Sequence, residues 1–284
     1  MRCGVLSHLT PIYRLIVIRH NVGTVDVGSP DGVTEMAMRF PKFFSIDDAK
    51  AKKAQTAVRG WLNAINYMAP HDSAGVGNLC PHASAGCRAL CLGTESGQAA
   101  MRKEGEDNSV TRSRKAKAVF FMRERQAFLR ELHLHISKAA ARAWSEKRRL
   151  CVRLNGATDI AWEAASLDGV RIMDHFPEVQ FIDYTKSFAR MMRFCEGGMP
   201  ANYHLTFSRA ENNEDIALHM LSRGVNVAVV FAGEKPKRWK GYAVIDGDRH
   251  DLRQLDPRGK RGVVIALSPK GRKAKRDTSG FVVH

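Results

Sequence analysis

Cys80, Cys87 and Cys91 fall within twelve residues, in the string Cys80-Pro-His-Ala-Ser-Ala-Gly-Cys87-Arg-Ala-Leu-Cys91. The other cysteines, Cys3, Cys151 and Cys195, stand singly, so the spacing does not describe a disulfide framework. Reduced thiols this close together are soft metal ligands, and they point to an iron-sulfur cluster or to zinc. A structural zinc site takes four ligands, commonly from two CxxC-like pairs, and this chain has no second pair. Three thiolates suit a 4Fe-4S cluster better, with Cys80, Cys87 and Cys91 each on one iron. The fourth iron is then open to substrate, to water, or to a ligand such as His82, Cys151 or Cys195. Zinc and inert buried thiols are the alternatives, because a free cysteine also serves as a small core residue.

The second chemical signal is charge. Forty-five Lys and Arg against 29 Asp and Glu give a formal net charge of +16, the kind of field that attracts polyanions. Residues 109–149 carry 12 Lys and Arg against 3 acids, and residues 235–276 carry 14 against 4. This clustering is the footprint of phosphate binding. Arg112, Arg114, Lys115 and Lys117, together with Lys270, Arg272, Lys273, Lys275 and Arg276, are expected to line one nucleic-acid surface. Trp239, Tyr242 and Phe281 offer rings on which bases could stack. No helix-turn-helix or other base-reading signature is present, so the expected partner is single-stranded DNA or RNA, bound with little sequence selectivity. A basic protein that is merely soluble is the bland alternative.

The elements that must position these residues follow from 284 residues, 44% hydrophobic and 26% charged, enough for one large core without disulfide staples. No run of about 18 apolar residues spans a bilayer and no secretory leader is evident, so no membrane partner is expected. With its thiols kept reduced, the protein is expected in the cytoplasm. Residues 1–35 read as an N-terminal extension, disordered or preceding the true start. Residues 36–284 read as a single domain. A short helix is expected from Ser45 to Ala57, then a strand at Trp61 to Tyr67 and a long breaker-rich loop from Pro70 to Gly93. Ser109 to Trp144 reads as one long helix or two joined ones. Strands follow at Leu150 to Leu154, Val179 to Ile182, Tyr203 to Phe207, Val225 to Phe231 and Val263 to Leu267. Helical patterns separate the first four, at Trp162 to Phe176, Ser187 to Cys195 and Asn213 to Arg223.

Strands alternating with helices make this an α/β chain with a parallel sheet, and a partial (β/α)6 TIM-like barrel with the cysteine loop after its first strand is the expected form. Chemistry in such a fold gathers at the C-terminal strand ends, which makes Asn155, Asp159, Asp183, Lys186, Ser208 and Arg209, with His82, the candidates for the cluster's rim. Cys151 and Cys195 fit core or helix-end positions, and His133 and His135 fit surface or packing roles. Asp246 to Asp251 reads as a hairpin turn before the last strand.

A three-cysteine loop after strand one of a six-stranded partial barrel resembles the plan of the radical S-adenosylmethionine enzymes, although the spacing here is CX6CX3C and theirs is CX3CX2C. That resemblance implies an enzyme binding S-adenosylmethionine at the open iron. A resemblance over Phe40 to Val283 is more specific. Ala64-Ile-Asn-Tyr-Met-Ala-Pro70, Gly75-Val-Gly-Asn-Leu-Cys-Pro-His-Ala-Ser-Ala-Gly-Cys87, Arg153-Leu-Asn-Gly-Ala-Thr-Asp-Ile160 and Asp277-Thr-Ser-Gly-Phe281 are similar to the phage-encoded gene product 88 family. It implies a tailed-phage or prophage origin, with the cysteine loop as the family's signature. Three functional classes therefore stand: an iron-sulfur protein that binds nucleic acid, a radical enzyme, and a structural zinc protein. The colour of the purified protein separates the last from the other two.

Overall fold

The computed structural model describes residues 40, 42–47, 49–101 and 106–284. The expected extension over residues 1–35 lies outside them. Twelve strands are present among the described residues: β1 (Phe44–Ser45), β2 (Trp61–Asn66), β3 (Arg149–Arg153), β4 (Ser166–Leu167), β5 (Val170–Arg171), β6 (Gln180–Thr185), β7 (Tyr203–Ser208), β8 (Val227–Phe231), β9 (Arg238–Trp239), β10 (Tyr242–Asp246), β11 (Val264–Leu267) and β12 (Val282–Val283). The helices are α1 (Ala49–Ala57), α2 (Ala85–Ala89), α3 (Leu92–Glu95), α4 (Gly97–Ala100), α5 (Ser109–Arg123), α6 (Arg125–Ser145), α7 (Phe188–Cys195), α8 (Glu214–Ser222) and α9 (Gly271–Ala274).

Ten strands form one sheet in the order β1-β2-β3-β6-β7-β8-β11-β10-β9, with β12 beside β8. The six strands expected from the sequence are β2, β3, β6, β7, β8 and β11, and they lie side by side in that order, all parallel. β10 adds a seventh parallel strand beyond β11. The short strands β1 and β9 pair antiparallel at the two edges. The chain is thus a mixed α/β protein with a large, mostly parallel sheet. The sheet ends in two edge strands and does not close, so the TIM-like barrel is not what the strand pairing describes. β12 pairs Val282 and Val283 with Val230 and Phe231 of β8. β11 already holds one edge of β8 as far as Val230, so β12 must take the other edge, beyond the end of β7.

Side chains alternate across a sheet, and the register sorts them into two unlike faces. On the first, Leu62, Val152, Phe181, Leu205 and Val229 pack with Phe121, Phe128, Leu132 and Ile136 of α5 and α6, Met191 of α7, and Met220 and Leu221 of α8. This is the main core, and a parallel sheet needs its faces covered in this way. The second face carries Asn63, Arg153, Tyr184, His204 and Thr206 beside Trp61, Cys151 and Ile182. It is covered in part by residues 247–258, whose Leu252 packs on Trp61, Cys151 and Ile182.

Two expectations differ from the structure for identifiable reasons. Trp162 to Phe176 is not a helix. It holds a single 3-10 turn at Trp162–Ala164 and the hairpin β4–β5. Asp168 and Gly169 at its tip have φ of 50° and 83°, the two left-handed positions of a two-residue hairpin turn that Asp-Gly favours. Ser109 to Trp144 takes the second of its two expected forms, two helices joined at Glu124. Asp246 to Asp251 is no hairpin turn, because β10 and β11 are parallel and the chain between them crosses the second face.

Candidate metal centre

The cysteine loop is fixed by backbone groups at its entrance. The Leu79 N–H donates to the His71 carbonyl at 3.0 Å, and the His71 N–H donates back to Cys80 Sγ at 3.2 Å. The Asp159 N–H reaches the Leu79 carbonyl at 2.9 Å, and Cys80 Sγ lies 3.6 Å from the Ala157 carbonyl, so the loop is tied to the exit of β3. That exit lies close to the exit of β2. A Cβ on Gly156 would stand 2.5 Å from the Asn66 carbonyl, which leaves no room for a side chain.

The middle of the loop turns into α2. Ser84 caps it by accepting the Cys87 N–H, and the Glu211 carboxylate accepts both the Ser84 hydroxyl and the Gly86 N–H at 2.7 Å. Glu211 follows β7 and was not among the candidate residues. Nothing local in the sequence links it to a loop 125 residues earlier. Cys91 caps α3, its sulfur accepting the Gly93 N–H at 3.4 Å.

Burial pushes the Cys80 thiol up to about 12. The His71 N–H pulls the other way, and repulsion from Cys91, Asp159 and Cys87 adds to the rise. Burial also raises Cys91, with Cys87 adding to the effect and the Gly93 N–H and Lys186 opposing it. The three thiols therefore sense one another, and turning them into thiolates calls for a compensating positive charge. Among the described residues, no three His, Cys, Asp or Glu side chains close on a single metal ion.

All three cysteines line a cleft of about 1390 Å³ at the C-terminal edge of the parallel strands. Asn155, Asp159, Lys186, Ser208 and Lys270 line it too. Asn155 organises the wall: its Oδ1 accepts from the Thr158 hydroxyl, the Ile160 N–H and the Trp162 indole. Asp159 accepts the Lys186 N–H at 3.0 Å and pairs with Arg190 at 2.5 Å. The Lys186 ammonium bonds Ser208 Oγ at 3.0 Å and lies 5.6 Å from the Phe281 ring centre.

The remaining rim candidates are elsewhere. His82 is exposed and does not line the cleft. Asp183 points to the helix-covered face, where it accepts from the Asn155 N–H and the Tyr203 hydroxyl. Arg209 is buried against Glu214 and the carbonyls of Gly280 and Phe281. Cys151 is enclosed under residues 247–258, and Cys195 is exposed at the end of α7. Sequence reasoning missed Arg190, which is buried and bonds Glu163 twice as well as Asp159, Thr185 and Tyr203.

The two basic segments, far apart in sequence, meet at α3, the turn directly after Cys91. Arg114 of α5 donates to the Gly93 carbonyl at 2.7 Å, and Lys273 of α9 pairs with Glu95 at 3.0 Å. Gly271 sits so close that a Cβ there would be 2.2 Å from the Glu95 carbonyl. Arg112, Arg272, Lys275 and Arg276 are exposed nearby in sequence, and Lys115 pairs with Asp107. Lys117 differs: it is buried, its ammonium held by the Phe43 carbonyl and Asn66 Oδ1, and burial lowers it to about 7. Nine Lys or Arg line the cleft against four Asp. Of the three aromatic candidates, Phe281 lines the cleft, Trp239 is buried against Phe231, and Tyr242 lies under Arg261.

An open parallel sheet with a cysteine loop at its C-terminal edge defines the class of protein. The profile of the gene product 88 family, a phage-type gene product family, matches residues 42–284, and the chain belongs to that family. No curated protein and no solved structure matches it. Among the described residues no helix is long and apolar enough to cross a membrane.

Burial pushes the Asp183 carboxyl up to about 7, against the Asn155 N–H, Arg153, Arg190 and Tyr203, which favour its charge. The folded chain holds this proton over a range where the unfolded chain has lost it. Its contribution to stability is therefore complete below about pH 4 and is lost as pH rises through about 7. Asp183→Asn should flatten the decline in unfolding free energy across that window, by up to ~4 kcal/mol. Urea midpoints across the window measure it, and a variant with the wild-type pH slope would show that Asp183 does not carry the proton.

Proposed function

We propose that this chain is an iron-sulfur protein that carries a 4Fe-4S cluster on Cys80, Cys87 and Cys91 and binds single-stranded DNA or RNA along the basic rim of the same cleft. The observation that carries the reading is the convergence of three partly or fully buried thiols and both basic segments on one cleft. Backbone N–H groups already point at Cys80 and Cys91, the arrangement that steadies sulfurs bound to iron. A cluster spreads its thiolates over separate irons, so its ligands stand further apart than the four around one zinc ion. Three thiols from one short loop, with no second cysteine pair to complete a tetrahedral set, favour the cluster over structural zinc. When bound, the group supplies one-electron chemistry or a structural clasp; the chain's residues hold it and set the charge around it. Reduced thiols and a nucleic-acid partner suit a host cytoplasm.

A second reading rests on the strand ends. Tyr67, Asn155, Lys186 and Ser208 bring four parallel strands to the cleft beside the thiols, as a radical S-adenosylmethionine enzyme on a partial barrel would require. It is separated from the first by whether S-adenosylmethionine perturbs the spectrum of the anaerobically reduced, fully loaded protein.

Anaerobically purified protein should be brown, with iron and sulfide bound in equal amounts. Cys80→Ser, Cys87→Ser and Cys91→Ser should each lose most of both, while Cys151→Ser keeps them. If Cys87→Ser stayed fully loaded and Cys151→Ser did not, the ligand assignment would be wrong. Affinity for a single strand should fall with salt at roughly 0.7 logarithmic units per phosphate neutralised, hence a slope of about −4 for about six contacts. Neutralising Arg272, Lys275 and Arg276 should flatten that slope. Binding that ignores salt, or no binding at low salt, defeats the nucleic-acid half.

A further inference from the structure

We propose that His71 closes the cluster from within the chain, its Nε2 ligating the iron that the three cysteines leave open; this rests on the cluster reading above. His71 lines the cleft with Cys80, Cys87 and Cys91, and its side chain is 15% exposed. Its φ of 40° is left-handed, a conformation uncommon in a residue with a side chain and enriched at functional sites. That conformation lets the residue clasp the cysteine loop from both sides, the N–H donating to Cys80 Sγ and the carbonyl accepting the Leu79 N–H.

The imidazole is oriented as metal-bound histidines are. Nδ1 lies 2.7 Å from Asp72 Oδ1, and a proton shared there leaves the lone pair on Nε2. Asp72 is in turn paired with Arg88, the residue after Cys87, so the ring is tied to two of the three ligand positions.

Other donors are placed less well. His82, though inside the motif, is exposed outside the cleft, and neither Cys151 nor Cys195 lines it. His250 lines the cleft, but its Nδ1 faces the Arg253 guanidinium and no bond ties it to the cysteine loop.

Pulsed electron paramagnetic resonance of the reduced, reconstituted full chain tests the assignment. The wild type should show a strong nitrogen hyperfine coupling that changes when histidine is isotopically labelled. His71→Ala should lose that coupling, keep the cluster on its three cysteines, and regain the coupling when free imidazole is added. His82→Ala should leave it intact. Asp72→Asn should retain the coupling but give up iron to a chelator about tenfold more readily. A wild type loaded with iron and sulfide but showing no histidine-dependent coupling overturns His71 while leaving the cysteine assignment standing, and so does a coupling that survives in His71→Ala. The labelled wild type decides this even where a variant fails to fold. A chain that takes up no iron and sulfide removes the cluster and His71 together.

Discussion

Seven neighbouring strands running the same way impose two conditions that the rest of the structure meets. All their C-terminal ends arrive at one edge, and both faces of the sheet need cover. The first condition gathers Tyr67, Asn155, Thr185, Lys186, Ser208 and Ser268 from distant parts of the chain around one cleft. The second is met unequally. Helices with aromatic and aliphatic side chains seal one face, where the rings of Phe121, Phe128 and Trp162 pack with centroids about 5–6 Å apart. The other face is covered by an irregular segment whose contacts are largely polar.

That second face is where the fold departs from an ordinary core. Arg153 meets Asp251 at 3.0 Å and stacks over Tyr184, whose hydroxyl reaches the same carboxylate. Arg258 bonds His204 at 2.7 Å. Both amide atoms of Asn63 and the hydroxyl of Thr206 are buried without a protein partner, a pattern that calls for enclosed water rather than close packing. Residues 247–258 are held on this face by those polar partners, and the strand ends beside the cysteine loop line the cleft.

Strand order was legible because each of the six parallel strands is a short apolar run bounded by turn residues, and consecutive β-α units place such strands side by side. The cysteine loop was legible from thiol density alone. What escaped had no local signature or a misleading one. Trp162 to Phe176 has helix-like apolar spacing, yet Asp168-Gly169 imposes a hairpin. Lys117 sits in a basic run and reads as a surface cation, but α5 turns it inward onto Phe43 and Asn66. Glu211 and Arg190 act through contacts more than 100 and about 30 residues away in sequence, which no window along the chain contains. Asp183 lies inside β6 rather than at its end, and the two-residue alternation turns it to the helix side and Tyr184 to the cleft.

Burial also decides which cations can meet a phosphate. Arg153 and Arg190 are nearly enclosed, and removing their carboxylate partners would strand an uncompensated charge, so neither can exchange its partner for a ligand. Lys270 with Asp248, Lys273 with Glu95 and Lys115 with Asp107 are at least partly exposed pairs of the kind worth about 0–1 kcal/mol. Giving up such a pair costs little, so these lysines remain available to a polyanion even though each has a carboxylate beside it. The basic field near the thiols is therefore carried by the exposed lysines and arginines around α3. The buried arginines hold the walls that keep those groups in place.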